Sequence, residues 1–194
     1  MLFSSLLFLF AFLPIVLLIN IILPSQFRNK FLLLSSLIFF AWGGVSNTLI
    51  FIISIILNFI SGIIIDNSKD KIKLKRIIFI IVIIINISIL CIFKYLNFFI
   101  ENINVLFQQF DISELKRSRI LLPIGISFYT FHGLSYIIDV YRGTTKAQRK
   151  FSDLGLYISF FPQLIAGPII RYKDIEGQLH ERKYDQHVSL MYLR

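Results

Sequence analysis

The chain has 194 residues, 56% of them hydrophobic and only 16% charged, with a net charge of +9. Soluble domains carry about a quarter charged residues, and here the apolar residues come in long blocks, so a soluble globular domain is excluded in favour of a polytopic membrane protein. The positive charge sits in short clusters between those blocks, as the positive-inside rule predicts, and no nucleic-acid partner is expected.

Phe3–Leu23 is apolar throughout and would reach about 31 Å as a helix, enough to cross a bilayer. It lacks a basic leader region and is too long for a cleaved signal, so it reads as a retained first span. Pro14 predicts a kink and Pro24 an end, with Arg28 and Lys30 following. Phe31–Trp42 would reach only about 18 Å. Gly43-Gly44 then interrupts, and Val45–Ile65 is long enough to span. The next loop carries Lys69, Lys71, Lys73, Lys75 and Arg76. For it to share the cytoplasmic side with Arg28 and Lys30, an even number of crossings must separate them. That predicts two crossings with a turn at Gly43-Gly44 and an N-terminus outside.

Ile77–Ile100 is the next span and runs outward. Lys94 lies near its end, either snorkelling to the interface or buried as a functional charge. Residues 101–119 read as a polar, mildly amphipathic connector, in which Lys116, Arg117 and Arg119 would lie outside on a surface helix. Ile120–Val140 returns to the cytoplasm, where the basic stretch 142–150 follows, and Leu154–Ile170 is the last apolar block. The fold class is therefore all-α and polytopic, with five to six transmembrane or re-entrant segments. Cys91, the one cysteine, lies in an apolar block and excludes an intrachain disulfide or a Cys-x-x-Cys site.

Two segments carry more than span length. In "LLPIGISFYTFHGLSYIIDVYRG" (121–143), Pro123 suits the first turn of a helix. Phe128, His132, Ser135 and Asp139 then share one helical face. Three readings stand. The polar groups are satisfied structurally, with Asp139 pairing Arg142; or the stripe lines a substrate or cofactor channel; or His132 is a general base. His132 and Asp139 lie about 10 Å apart along a helix axis, too far for a direct dyad. His180 and His187 are seven residues apart on a polar stretch. Zinc would require closer pairs and further ligands, so no metal site is expected.

The second segment is "ISFFPQLIAGPIIR" (158–171). Pro162 and Pro168 interrupt it, Gly167 permits unusual backbone angles, and neither half is long enough to span. It reads as a broken or re-entrant segment beside a polar cavity. Gln163 would offer hydrogen bonds there, and Arg171 would anchor at the interface or pair with an anionic group. The alternative is a kinked span with an interfacial arginine.

These two motifs, with "FKYLNFF" (93–99) and "FFAWGG" (39–44), resemble the membrane-bound O-acyltransferase superfamily. Within it they look like the alginate O-acetyltransferase branch, which includes relatives acting on peptidoglycan and other cell-surface polysaccharides. The resemblance covers residues 1–179, as an N-terminal part of the domain, and leaves 180–194 as a polar end where relatives enter another membrane segment. It implies a multi-helix protein of the bacterial cytoplasmic membrane enclosing a tunnel. An acyl group from acetyl-CoA or an acyl-carrying partner passes through it to a polysaccharide hydroxyl, with no bound cofactor.

The resemblance also implies partners. They are the bilayer, the polysaccharide acceptor, a periplasmic or extracellular acetyltransferase, and a second chain bearing the remaining helices. It marks Pro123, Gly125, Ser127, Phe128, Tyr129, His132, Asp139, Arg142, Pro162, Gln163, Gly167, Pro168 and Arg171 as tunnel or motif residues. The family's catalytic histidine lies in a later helix, and its Arg-Trp-His-type motif does not occur here. His132 stands where relatives usually carry glutamine, so no catalytic residue is assigned within this chain and it is expected to be inactive alone. A non-enzymatic scaffold, such as one subunit of a split acyltransferase, is the competing class. A transporter module is a third, although it would call for a second, inverted copy of the broken segment.

Overall fold

A computed structural model of the chain describes residues 5–68, 70–110, 112–113, 115–116, 122–168 and 170–180. Every regular element among them is helical. A π-helical turn, Phe8–Phe12, runs into α1 (Leu13–Ile22), which takes Pro14 in its first turn. Pro24 then ends the run, and α2 (Ser25–Ala41) starts immediately. Arg28 and Lys30 therefore lie in the first turns of α2 and not in a loop. Arg28 reaches back to donate to the carbonyls of Leu23 at 2.8 Å and Ile21 at 3.2 Å, satisfying acceptors that the end of α1 leaves open.

The helix α2 has 17 residues, about 25 Å, longer than the 31–42 segment suggests. A turn at Gly43-Gly44 separates it from α3 (Val45–Asn67). Gly44 has φ 134°, a conformation that side chains rarely adopt. The expected pair of helices joined at the glycines is present.

The long helix α4 (Ile72–Gln109) runs unbroken for 38 residues, about 57 Å against the roughly 30 Å of a hydrocarbon core. The connector expected at 101–119 is helical through Gln109, because nothing between Ile72 and Gln109 is Pro or Gly. Residues 117–121, including Arg117 and Arg119, lie outside the described residues. Helices α3 and α4 are long and apolar enough to cross a membrane.

Helix α5 (Ile126–Arg142) begins six residues later than the apolar block suggests. Gly125 sits in the left-handed region with φ 72°, and the Ile126 N–H bonds the Pro123 carbonyl at 3.2 Å. Pro123 thus belongs to the turn before the helix and not to its first turn. Gly143, φ 74°, ends the helix in the same left-handed way.

The last apolar block is broken. α6 (Phe151–Ser159) and α7 (Phe161–Ala166) are separated by a bend at Phe160, and α8 (Tyr172–His180) follows. Asn29 at the start of α2 donates to Asp153 in the first turn of α6 at 3.0 Å. Leu164 of α7 lies against Gly125, at the opposite end of α5. Tyr172 is then held by Gln148, in the loop preceding α6, at 3.0 Å. The segment therefore enters the bundle, reaches the start of α5 and returns to the end it left. Nine and six residues are too few to cross a bilayer, and residues 153–159 of α6 are all buried, Asp153 and Ser159 included.

The basic segments converge on that same end. Besides Asn29–Asp153, Arg149 pairs with Asp66 at 3.2 Å, and the Lys75 ammonium lies 5.1 Å from the Tyr141 ring centre. The starts of α2 and α4, the end of α3 and the α5–α6 loop are neighbours.

A polar wall between α5 and the re-entrant segment

The stripe on α5 faces the re-entrant segment, and Tyr157 of α6 is the residue they share. Its ring lies 5.2 Å from that of His132 and 5.2 Å from that of Tyr172. Its hydroxyl donates to the Ile170 carbonyl at 2.9 Å and interacts with Ser135. His132 is fully buried. Its Nε2 lies 3.3 Å from the amide nitrogen of Gln163, which also reaches the Pro168 carbonyl at 3.4 Å. An amide NH₂ has two protons to donate, so one group ties α5 to α7 and to the chain just beyond it. The other ring nitrogen lies beside the Ile158 backbone without a well-formed hydrogen bond.

This geometry limits what the histidine can do. A general base needs an unoccupied lone pair within hydrogen-bond reach of the proton it takes. The Nε2 lone pair faces the Gln163 amide, and no surface of the ring is open. Among the described residues the stripe packs against α6 and α7. Asp139 is buried too, and one of its carboxylate oxygens has no hydrogen-bond partner. Its expected partner, Arg142, is exposed and makes no ion pair with it; the Gly143 turn carries the arginine away, while Thr144 bonds the Asp139 main-chain carbonyl.

The other motif residues divide between wall and surface. Pro123 and Tyr129 line a small cleft with Phe40, Asn47, Thr48 and Phe51. Gly125 packs on Phe40 and Leu164. Ser127, Phe128 and Pro162 are half-buried, whereas Pro168 and Arg171 are exposed. Arg171 makes no ion pair among the described residues. His187 and residues 181–194 lie outside the described residues, and no group of three His, Cys, Asp or Glu side chains comes together among the described ones.

Gly167 is needed for a different reason than the one its sequence context suggests. Its backbone is ordinary and extended, φ −91° and ψ 158°. A Cβ there would meet the Gln163 Cα and carbonyl oxygen at 2.9 Å. Gly167→Ala should therefore displace Gln163 from His132 and cost about 1–3 kcal/mol. Gly177→Ala, with nothing within 4 Å, is the matched control. Thermal unfolding in detergent that is unchanged by Gly167→Ala would refute this.

Several residues that build the wall are not evident from the motifs. Gln148 donates to the Tyr172 hydroxyl, its main-chain N–H bonds the Tyr136 hydroxyl at 3.1 Å, and its side-chain oxygen accepts the N–H groups of Arg149 and Lys150. Asn58 of α3 and Asn86 of α4 exchange side-chain amide hydrogen bonds at 3.2 and 3.3 Å. Lone asparagines within apolar spans were the available signal, because a polar group at that depth needs a partner.

Comparison with known proteins agrees with these motifs. The probable alginate O-acetylase AlgI of Pseudomonas aeruginosa is 38% identical over 184 residues, covering 95% of this chain and 35% of the relative. The peptidoglycan O-acetyltransferase of Helicobacter pylori is 31% identical over 211 residues, covering 94% of this chain and 39% of the relative. The teichoic acid D-alanyltransferase of Bacillus subtilis is 40% identical over 50 residues, 26% of this chain and 13% of the relative. The chain thus spans little more than a third of the length of the first two. No family model matches it, and no solved structure gives a significant match.

Proposed function

We propose that this chain, which belongs to the family of the alginate O-acetylases and shares the motifs of the membrane-bound O-acyltransferases, is part of an enzyme that acetylates hydroxyl groups of a cell-surface polysaccharide. The observation that carries this is the identity to an alginate O-acetylase along 95% of the chain. The acceptor is an alginate-like or peptidoglycan-like polymer, and the donor is acetyl-CoA or an acyl-carrying partner. The role of the present residues is the tunnel wall: α5 and the re-entrant segment, pinned by His132, Gln163 and Tyr157, form a fixed surface against which other helices pack. A histidine whose Nε2 faces an amide and whose ring is sealed is suited to positioning and not to proton transfer.

The convergence of the basic segments supports an orientation. Placing that end in the cytoplasm satisfies the positive-inside rule for Arg28, Lys30, Lys71, Lys73, Lys75, Arg76, Lys146, Arg149 and Lys150 together. The N-terminus then lies outside, in a bacterial cytoplasmic membrane.

The test is reconstitution in proteoliposomes with radiolabelled acetyl-CoA and an alginate or peptidoglycan acceptor. The chain alone should transfer no acetyl, and addition of the remaining two thirds of an alginate O-acetylase should restore transfer. Turnover by the chain alone that disappears in His132→Ala would make His132 the base and overturn the assignment. Failure of the added portion to restore transfer would favour a non-enzymatic role.

A further inference from the structure

The outward side of α4 carries a feature that acetyl transfer does not use. Lys73, Arg76, Ile80, Ile84 and Ile87 are spaced by three or four residues and so form one continuous stripe. All five are exposed. The buried residues of the same helix, Val82 and Asn86, lie on the opposite face. The stripe thus presents two cations at the basic end of the bundle and then three isoleucines running into membrane depth.

Next to it, Phe79 stacks on Tyr141 with ring centres 4.1 Å apart, and the Lys75 ammonium covers the tyrosine face at 5.1 Å. Aromatic rings of this kind mark the level where headgroups meet acyl chains. Arg142, which is exposed, follows the tyrosine in the chain.

We propose that this end of α4 is a binding site for an anionic phospholipid. Its phosphate lies against Lys73 and Arg76, and an acyl chain follows Ile80, Ile84 and Ile87. The order of cations, aromatic level and aliphatic stripe matches the order of a lipid from headgroup to tail. Charge complementarity selects an anionic headgroup over a zwitterionic one. This goes beyond the proposed acyl transfer and does not depend on it.

The full chain in mixed micelles, titrated with phosphatidylglycerol or phosphatidylcholine of identical acyl chains and read by native mass spectrometry, tests the site. Phosphatidylglycerol should be retained preferentially, with retention falling as salt rises. Each neutralised cation should lower affinity about fivefold, so the Lys73→Gln/Arg76→Gln variant should lose roughly 25-fold. Both residues are exposed, so helicity by circular dichroism should be unchanged. Equal retention of the two lipids, an unaffected double variant, or displacement of the lipid by millimolar inorganic phosphate would each overturn the proposal. So would loss of lipid binding on adding the remaining portion of an alginate O-acetylase, which would make that portion the true occupant of the face.

Discussion

Gly133→Leu is expected to disrupt the bundle more than any other single substitution considered, lowering stability by at least ~2 kcal/mol. A Cβ at Gly133 on α5 would meet Asn58 of α3 at 2.6 Å from Nδ2 and 2.9 Å from Cγ. One turn along, the roles reverse: a Cβ at Gly62 on α3 would meet the Tyr136 ring of α5 at 2.6 Å from Cε1. Each helix thus offers one glycine as a hole and one larger side chain as a knob, and Asn58/Gly62 and Gly133/Tyr136 follow the helical repeat. Small residues at such crossings let backbones approach closely, which drives association where lipid supplies no hydrophobic force. Leucine at Gly133 cannot be placed without moving Asn58, and Asn58 is committed to Asn86. Thermal unfolding in detergent micelles, followed by circular dichroism, should show a large fall for Gly133→Leu and Gly62→Leu. Substitutions that melt like the parent chain would refute the interlocked crossing.

That crossing shows where sequence reasoning ends. The turn at Gly43-Gly44 and the break between α6 and α7 are visible because Gly and Pro act locally, through the angles and hydrogen bonds of their own residues. The spans are visible because bilayer thickness imposes a length. The start of α5 is misjudged because Gly125 in the left-handed region, and not the apolar composition of 120–125, sets the first turn. The continuation of α4 through Gln109 escapes sequence reading because polar residues alone do not end a helix that contains no Pro or Gly. The stripe on α5 is correctly periodic, but its partner is Tyr157 across the re-entrant segment, a contact 25 positions from His132 that no periodicity encodes. The same holds for Gly62 and Gly133, which look like ordinary helix-weakening glycines until the helix opposite each is known. Gln148 sits in the basic stretch that follows α5, yet it is buried and joins α5 to α8.

Asn58→Leu tests whether the buried amide pair holds α3 to α4. Asn58 and Asn86 are essentially fully buried. Each amide nitrogen also donates within its own helix, to Ser54 at 2.8 Å and Val82 at 2.9 Å. Every amide proton that faces the interior is therefore used, and removing one partner strands an oxygen and a proton of the other. That loss costs about 1–3 kcal/mol in a buried setting, with membrane pairs toward the lower end. Replacing both asparagines removes the stranded groups together, so Asn58→Leu/Asn86→Leu should be more stable than the sum of the single changes predicts, by roughly 1 kcal/mol. The pair also supports the surface under Gly133, so its loss should loosen α5. Hydrogen exchange along α5 should then rise in either single variant and fall back toward the parent level in the double variant. Strictly additive stabilities would mean that the two amides do not act as a pair, and unchanged exchange in α5 would mean that α3 carries α5 without help from α4.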